Sequence, residues 1–113
     1  MDVDTRKFYE MKAEILQAVG HPIRLAIVEF LSQRERCVCD IIEHVGAQRS
    51  NVSRHLSVML KAGILECHKE GLKMIYTLRT RCVIDFLACV DRALQARMES
   101  EVAILKRLQT NST

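Results

Sequence analysis

Gln48-Arg49-Ser50-Asn51-Val52-Ser53-Arg54-His55-Leu56-Ser57-Val58-Met59-Leu60-Lys61-Ala62 places Val52, Leu56, Met59 and Leu60 on one stripe of a helix. The opposite face is polar. Gln48, Arg49, Ser50, Asn51, Ser53 and Arg54 crowd its first turns with amide, hydroxyl and guanidinium groups, the donors and acceptors that pair with base edges and phosphate oxygens in a major groove. An ordinary amphipathic surface helix would carry the same stripe, so the neighbouring segments decide between a DNA reader and a plain helix.

Upstream, Cys37-Val38-Cys39-Asp40-Ile41-Ile42-Glu43-His44-Val45-Gly46 predicts a short helix stopped by Gly46 and joined to the polar-faced helix by a brief connection. Two helices so linked form a helix-turn-helix in which the second is the reader. Downstream of Gly63 the period changes from helical to alternating. Ile64, Leu65, Cys67 and Lys69, then Met74, Ile75, Tyr76 and Leu78, predict two strands around a turn at Gly71, a basic hairpin or wing. His68, Lys69 and Lys73 near its tip are expected to reach phosphates or a minor groove.

Further out, Phe8, Met11, Ile15, Leu16 and Val19 mark a first helix from about Val3 to Val19, ended by Gly20. Pro22 starts a second, apolar on nearly every side through Ile23, Leu25, Ile27, Val28, Phe30 and Leu31, which predicts the centre of the core. Ser32–Arg36 reads as a polar loop. Thr80 is placed to cap a last helix from about Arg81 to Leu108, and Gln109–Thr113 as a frayed tail. Its apolar positions Val83, Phe86, Leu87, Val90, Leu94, Met98, Val102 and Leu105 exceed what one small winged module can cover, so a partner helix is expected.

The expected fold class is therefore mainly α with a small β-hairpin: one winged helix-turn-helix domain over residues 1–113, homodimeric through its first and last helices. Bulk properties narrow the function. Aromatics make up 4% of the 113 residues and there is no Trp, which argues against a base-stacking single-strand binder. A net charge of +3 permits a nucleic-acid partner without demanding one. Its distribution says more: Arg49, Arg54, Lys61, Lys69, Lys73, Arg79 and Arg81 face only Glu66 and Glu70 in the same segment. No apolar run has the length of a membrane span, and Met1-Asp2-Val3-Asp4 is unlike a signal peptide, so a cytoplasmic protein is expected. In that reducing compartment five cysteines point to buried thiols, metal ligands or redox sensing rather than to a disulfide framework.

Several motifs resemble the ArsR/SmtB family of metal-sensing repressors: His21-Pro22-Ile23-Arg24-Leu25, Cys37-Val38-Cys39-Asp40-Ile41, Val52-Ser53-Arg54-His55-Leu56, Leu60-Lys61-Ala62-Gly63-Ile64, and Gly71 through Tyr76 to Leu78. The likeness covers roughly residues 10 to 95. It implies a homodimeric repressor on an imperfect inverted repeat that leaves DNA when an inducer binds. Half-sites about 34 Å apart and a steep loss of affinity with salt would follow.

Cys37 and Cys39 carry the strongest chemical signal. Residues i and i+2 do not face each other inside a helix, but at a helix entrance the first can lie outside the turn, letting the two sulfurs converge on a soft ion. Helix N-terminal partial charge and Arg36 would favour the anionic sulfur there. In arsenite-responsive relatives this motif is a thiolate site completed by a cysteine three residues beyond the second, a position held here by Ile42. Cys82 and Cys89 share a face of the last helix but stand about 10 Å apart along it, too far to chelate as a pair. Each could instead join Cys37 and Cys39, or a symmetry mate. Zinc-sensing relatives use ligands at positions that are Thr80, Ala93 and Ala96 here, which disfavours a complete site of that type.

The expected metal ligands are thus Cys37, Cys39, Cys82 and Cys89, with no required cofactor and with arsenite, antimonite or another soft ion as inducer. A thiol redox or persulfide response is the alternative. Cys67 is expected in the core of the wing and His55 beneath the reader, with His21, His44 and His68 as surface or capping residues. An enzyme finds little support: there is no nucleotide-binding loop, no Cys-x-x-Cys pair and no base placed near a nucleophile.

Overall fold

A computed structural model describes residues 1–111. In chain order the elements are α1 (Val3–Val19), α2 (Pro22–Gln33), β1 (Arg36–Cys37), α3 (Val38–Val45), α4 (Arg49–Lys61), β2 (Leu65–Glu70), β3 (Lys73–Leu78) and α5 (Cys82–Asn111). They divide into two compact units, Met1–Arg81 and the chain from Cys82 onward.

In the first unit, Asp2 caps α1 by accepting from the Thr5 amide at 2.7 Å. His21 caps α2, its Nδ1 accepting from the Ile23 amide at 3.1 Å, with Pro22 at the first helical position where a missing N–H is harmless. α2 touches α1, α3, α4 and β3, and its Ile27, Val28 and Leu31 are buried. That is the central helix expected from a sequence apolar on most sides, although it runs through Ser32 and Gln33, two residues into the predicted loop. α3 contributes the fully buried Ile41 and stops at Gly46, whose φ of 66° is the left-handed turn in which a Cβ would be strained. α4 buries Val52, Leu56 and Met59, the predicted stripe, with Leu60 half-buried at its margin.

The sheet has three strands in the order β1-β3-β2, all antiparallel. Sequence reading anticipated the β2–β3 hairpin and began the third helix at Cys37, with no strand before it. Instead Arg36 and Cys37 pair with Tyr76 and Ile75, and the helix begins at Val38. A two-residue strand has no periodicity to detect and exists only through its partner. Glu70 and Lys73 face each other across Gly71-Leu72; Gly71 has φ 62° and, among the described residues, no non-glycine residue has positive φ, the sign pattern of a type II′ hairpin turn. Thr80 does not cap the last helix. Its hydroxyl donates to the Gly63 carbonyl at 2.7 Å, closing the end of β3 onto the end of α4.

α5 forms the second unit and runs beyond the predicted Leu108 to Asn111, so Gln109–Asn111 of the expected frayed tail are helical. Ser112 and Thr113 lie outside the described residues. Phe86, Val90, Leu94, Met98, Val102, Leu105 and Leu108 are all exposed along it. On α1, Phe8, Met11, Ile15 and Leu16 are exposed too, and only Ala18 and Val19 are buried. Among the described residues no single helix is long and apolar enough to cross a membrane.

Candidate functional site

Burying Val52, Leu56 and Met59 turns the other face of α4 to solvent. Gln48, Arg49, Ser50, Asn51, Ser53 and Arg54 are all exposed. Lys69 and Lys73 flank the hairpin turn, also exposed. Among the described residues none of Arg49, Arg54, Lys69 and Lys73 is in an ion pair. These four cations are therefore available to an external anion.

His68 differs from expectation. Its Nε2 lies 3.5 Å from a Glu70 carboxylate oxygen, and Glu35 brings a third donor atom so that all three lie within 4.8 Å of one another. The ring lies among exposed carboxylates at the edge of the wing. Two residues apart on one strand, His68 and Glu70 share a face, a signal the sequence did carry.

Under α4, the His55 ring sits 4.4 Å from that of His21. Burial, and then the positive surroundings of His21, Arg24 and Arg54, push the His55 pKa below its ordinary value. His55 is half-buried on α4 and meets His21, the N-cap of α2.

The two cysteines of the Cys37-Val38-Cys39 motif straddle the start of α3. Cys37 is its N-cap, in extended conformation (φ −75°, ψ 159°) and buried, whereas Cys39 is the second residue of the helix, within its first turn, and exposed. The first sulfur-bearing residue is outside the helical turn, as convergence requires. Both line a recess of about 270 Å³ together with Arg49, Lys69, Lys73 and Met74. The entrance of α3, the entrance of α4 and the tip of the wing meet there.

Arg36 is not free to serve the sulfurs. Its guanidinium lies 3.9 Å above the Phe30 ring and donates to Gln33 Oε1 at 2.9 Å. His44 stacks on the same ring at 3.9 Å and 4°. Two groups at that separation cannot share one face, so Phe30 is sandwiched between them and ties α2 to β1 and to the end of α3. Nothing in the sequence pattern pointed to this stack, because its members come from three elements.

Cys67 is half-buried opposite Tyr76, whose pKa is raised by burial and then by Cys67. Cys82 and Cys89 are exposed on α5. Among the described residues no group of three or more potential metal ligands includes a cysteine.

Against known proteins, residues 21–66 match the model of bacterial regulatory proteins of the arsR family. Over 112 residues, 98% of each chain, the protein is 30% identical to the uncharacterized HTH-type transcriptional regulator Rv0081 of Mycobacterium tuberculosis (strain ATCC 25618 / H37Rv). The crystal structure of M. tuberculosis Rv0081 superposes with a TM-score of 0.75 at 31% identity, covering 84% of this chain and 96% of that one. The uncharacterized HTH-type transcriptional regulator MJ1325 of Methanocaldococcus jannaschii is 37% identical over 84 residues, 74% of this chain and 94% of its own. An arsenical resistance operon repressor from Staphylococcus xylosus is 31% identical over 70 residues, 62% of this chain and 67% of its own. These relatives are regulators of transcription rather than enzymes, and the helix-turn-helix followed by a β-hairpin is the winged arrangement by which such proteins hold DNA. With a cation-rich reader face, a wing and full-length similarity of this kind, the chain belongs to the arsR family of bacterial regulatory proteins.

Proposed function

We propose that the protein is a cytoplasmic transcriptional repressor that grips an inverted-repeat operator as a homodimer and leaves it when cysteine thiolates bind arsenite, antimonite or another thiophilic metal(loid). In this reading Ser50, Asn51, Ser53 and Arg54 face base edges, while Gln48, Arg49, Lys69 and Lys73 hold phosphates. The second copy covers the exposed apolar faces of α1 and α5, because an uncovered surface of that extent is uncommon on a monomer. Two readers related by a two-fold axis then fall in successive major grooves, about 34 Å apart.

The observation that carries the sensing half is the geometry of Cys37 and Cys39. One is extended and one helical, and both open on the recess that Arg49, Lys69 and Lys73 share. A soft ion drawing the two sulfurs together would act where the reader and the wing both begin. Ile42 stands where a third cysteine completes the motif in the resembling arsenite sensors, so a third ligand comes from elsewhere or is absent, and Cys82 and Cys89 are the thiols proposed for it. A coupling of about 1 to 3 kcal/mol would weaken DNA binding about 5- to 150-fold. The likeness to an arsenical resistance operon repressor supports the choice of inducer.

A selection from random duplexes tests the DNA half, and an inverted repeat is expected. Release of the selected duplex is then titrated with arsenite, antimonite, cadmium, zinc, lead and a persulfide donor under defined reducing conditions. Arsenite or antimonite should release DNA with excess reductant present, and Cys37→Ser with Cys39→Ser should abolish the response. Release by oxidant alone would overturn the metalloid reading. It would favour a redox response, which the exposed thiols of Cys39, Cys82 and Cys89 support.

A further inference from the structure

The recess at the entrance of α3 holds more than a pair of sulfurs. Its walls carry three cationic side chains, Arg49, Lys69 and Lys73, and no carboxylate, while Met74 gives it an apolar side. Of its two thiols Cys37 is buried, so a reagent entering from solvent meets Cys39. The N-cap of α3 makes no side-chain hydrogen bond, so no side-chain oxygen shields the first-turn amides beside Cys39. Asp40 follows Cys39 in sequence but does not line the recess; of the other exposed cysteines, Cys82 lies beside Arg81 and three residues before Asp85, and Cys89 lies near Asp91 and Arg92.

We propose that this recess is a modification site at which Cys39 reacts selectively with small anionic disulfides, of the class formed by carboxylate-bearing cellular thiols. The Cys39 thiolate attacks one sulfur of the disulfide and the S–S bond of the reagent breaks. A new S–S bond joins Cys39 to one half, and the other half departs as a thiolate that takes a proton from water. The disulfide is the oxidant, and excess thiol reverses the step. The retained carboxylates lie over Arg49, Lys69 and Lys73, the cations assigned above to DNA phosphates. Its effect on DNA rests on that assignment and is direct: like-charge repulsion and occlusion at the groove, with no displacement of a helix.

The test compares reaction rates of the reduced full-length protein with oxidised glutathione, which is anionic, and cystamine, which is cationic. Each cysteine is followed by alkylation and peptide mass mapping. At low salt the glutathione-to-cystamine rate ratio at Cys39 should exceed that at Cys82 and Cys89 by about tenfold, within the range that a focused field gives an association rate. Molar salt should erase the difference. Lys69→Gln with Lys73→Gln, both exposed side chains, should bring the Cys39 ratio down to that of Cys82 while leaving the circular dichroism spectrum unchanged. Equal ratios at the three cysteines, or a ratio indifferent to the lysine substitutions, would overturn the proposal. Arsenite titrations on the same samples separate the two readings. Arsenite release without charge selectivity sinks this inference and leaves the repressor function standing; charge selectivity without arsenite release does the reverse.

Discussion

Leu94 and Met98 stand one helical turn apart on α5, 50% and 57% exposed, and with Val102 they form an exposed apolar stripe. If a second copy covers this stripe, Leu94→Ala with Met98→Ala should separate the protomers without unfolding either. Full burial of a Leu or Met side chain is worth about 1.5–3 kcal/mol, so covering the exposed half contributes about 1 kcal/mol each. Symmetry presents four such side chains to the interface, which sums to about 4 kcal/mol, or a roughly thousandfold rise in the dimer dissociation constant. Sedimentation equilibrium across a wide concentration range reads this directly, with thermal melts of the far-ultraviolet signal as the check on folding. A dissociation constant within about tenfold of the parent, or a parent chain that sediments as a monomer at tens of micromolar, would contradict the assignment of the α5 face to a second copy.

Other expectations follow from single residues. Gly46→Ala should destabilise the first unit by about 1–2 kcal/mol in urea titrations, since no atom lies within 4 Å of the added Cβ and only the left-handed φ of 66° opposes it; Gly46→Asn should lose less. His55 has a folded pKa below the ordinary 6.5, so the unfolded chain takes up the proton first as pH falls. The stability it contributes is complete above that value and lost as pH drops through it toward the folded pKa. Melting temperatures of His55→Gln should therefore be flatter than those of the parent between pH 7.5 and the onset of carboxylate titration at about pH 5. Arg54→Ala should cost about 1–3 kcal/mol on the selected operator and little on random duplex, whereas Lys73→Ala should weaken both alike and lower the salt slope by about one. Equal loss on both duplexes for Arg54→Ala would make it a phosphate contact.

The elements written in periodic patterns were legible from the chain alone. Val52, Leu56 and Met59 announced α4, and the alternation from Leu65 to Leu78 announced the hairpin, because burial on one face leaves a repeating mark. What escaped has no repeat. β1 consists of Arg36 and Cys37 and is a strand only because β3 lies beside it. Thr80 had the side chain of a cap, but its hydroxyl donates to the Gly63 carbonyl, seventeen residues back in sequence, and the last helix begins at Cys82. Arg36 read as a charge beside a thiol, whereas Phe30 and Gln33 hold it elsewhere. For the site, the cations on α4 and the wing were legible one by one. Their meeting with Cys37 and Cys39 around a single recess required the fold.

One residue in this fold has two masters. Cys37 is paired in the sheet opposite Ile75 and is also the residue from which α3 springs. A ligand that pulls on its sulfur cannot tilt the helix and leave the hairpin at rest, because the same peptide links are shared by both. A rearrangement started there acts on the start of α3 and on the strand beside it together, so under the proposed function both holds on a duplex would loosen in one motion.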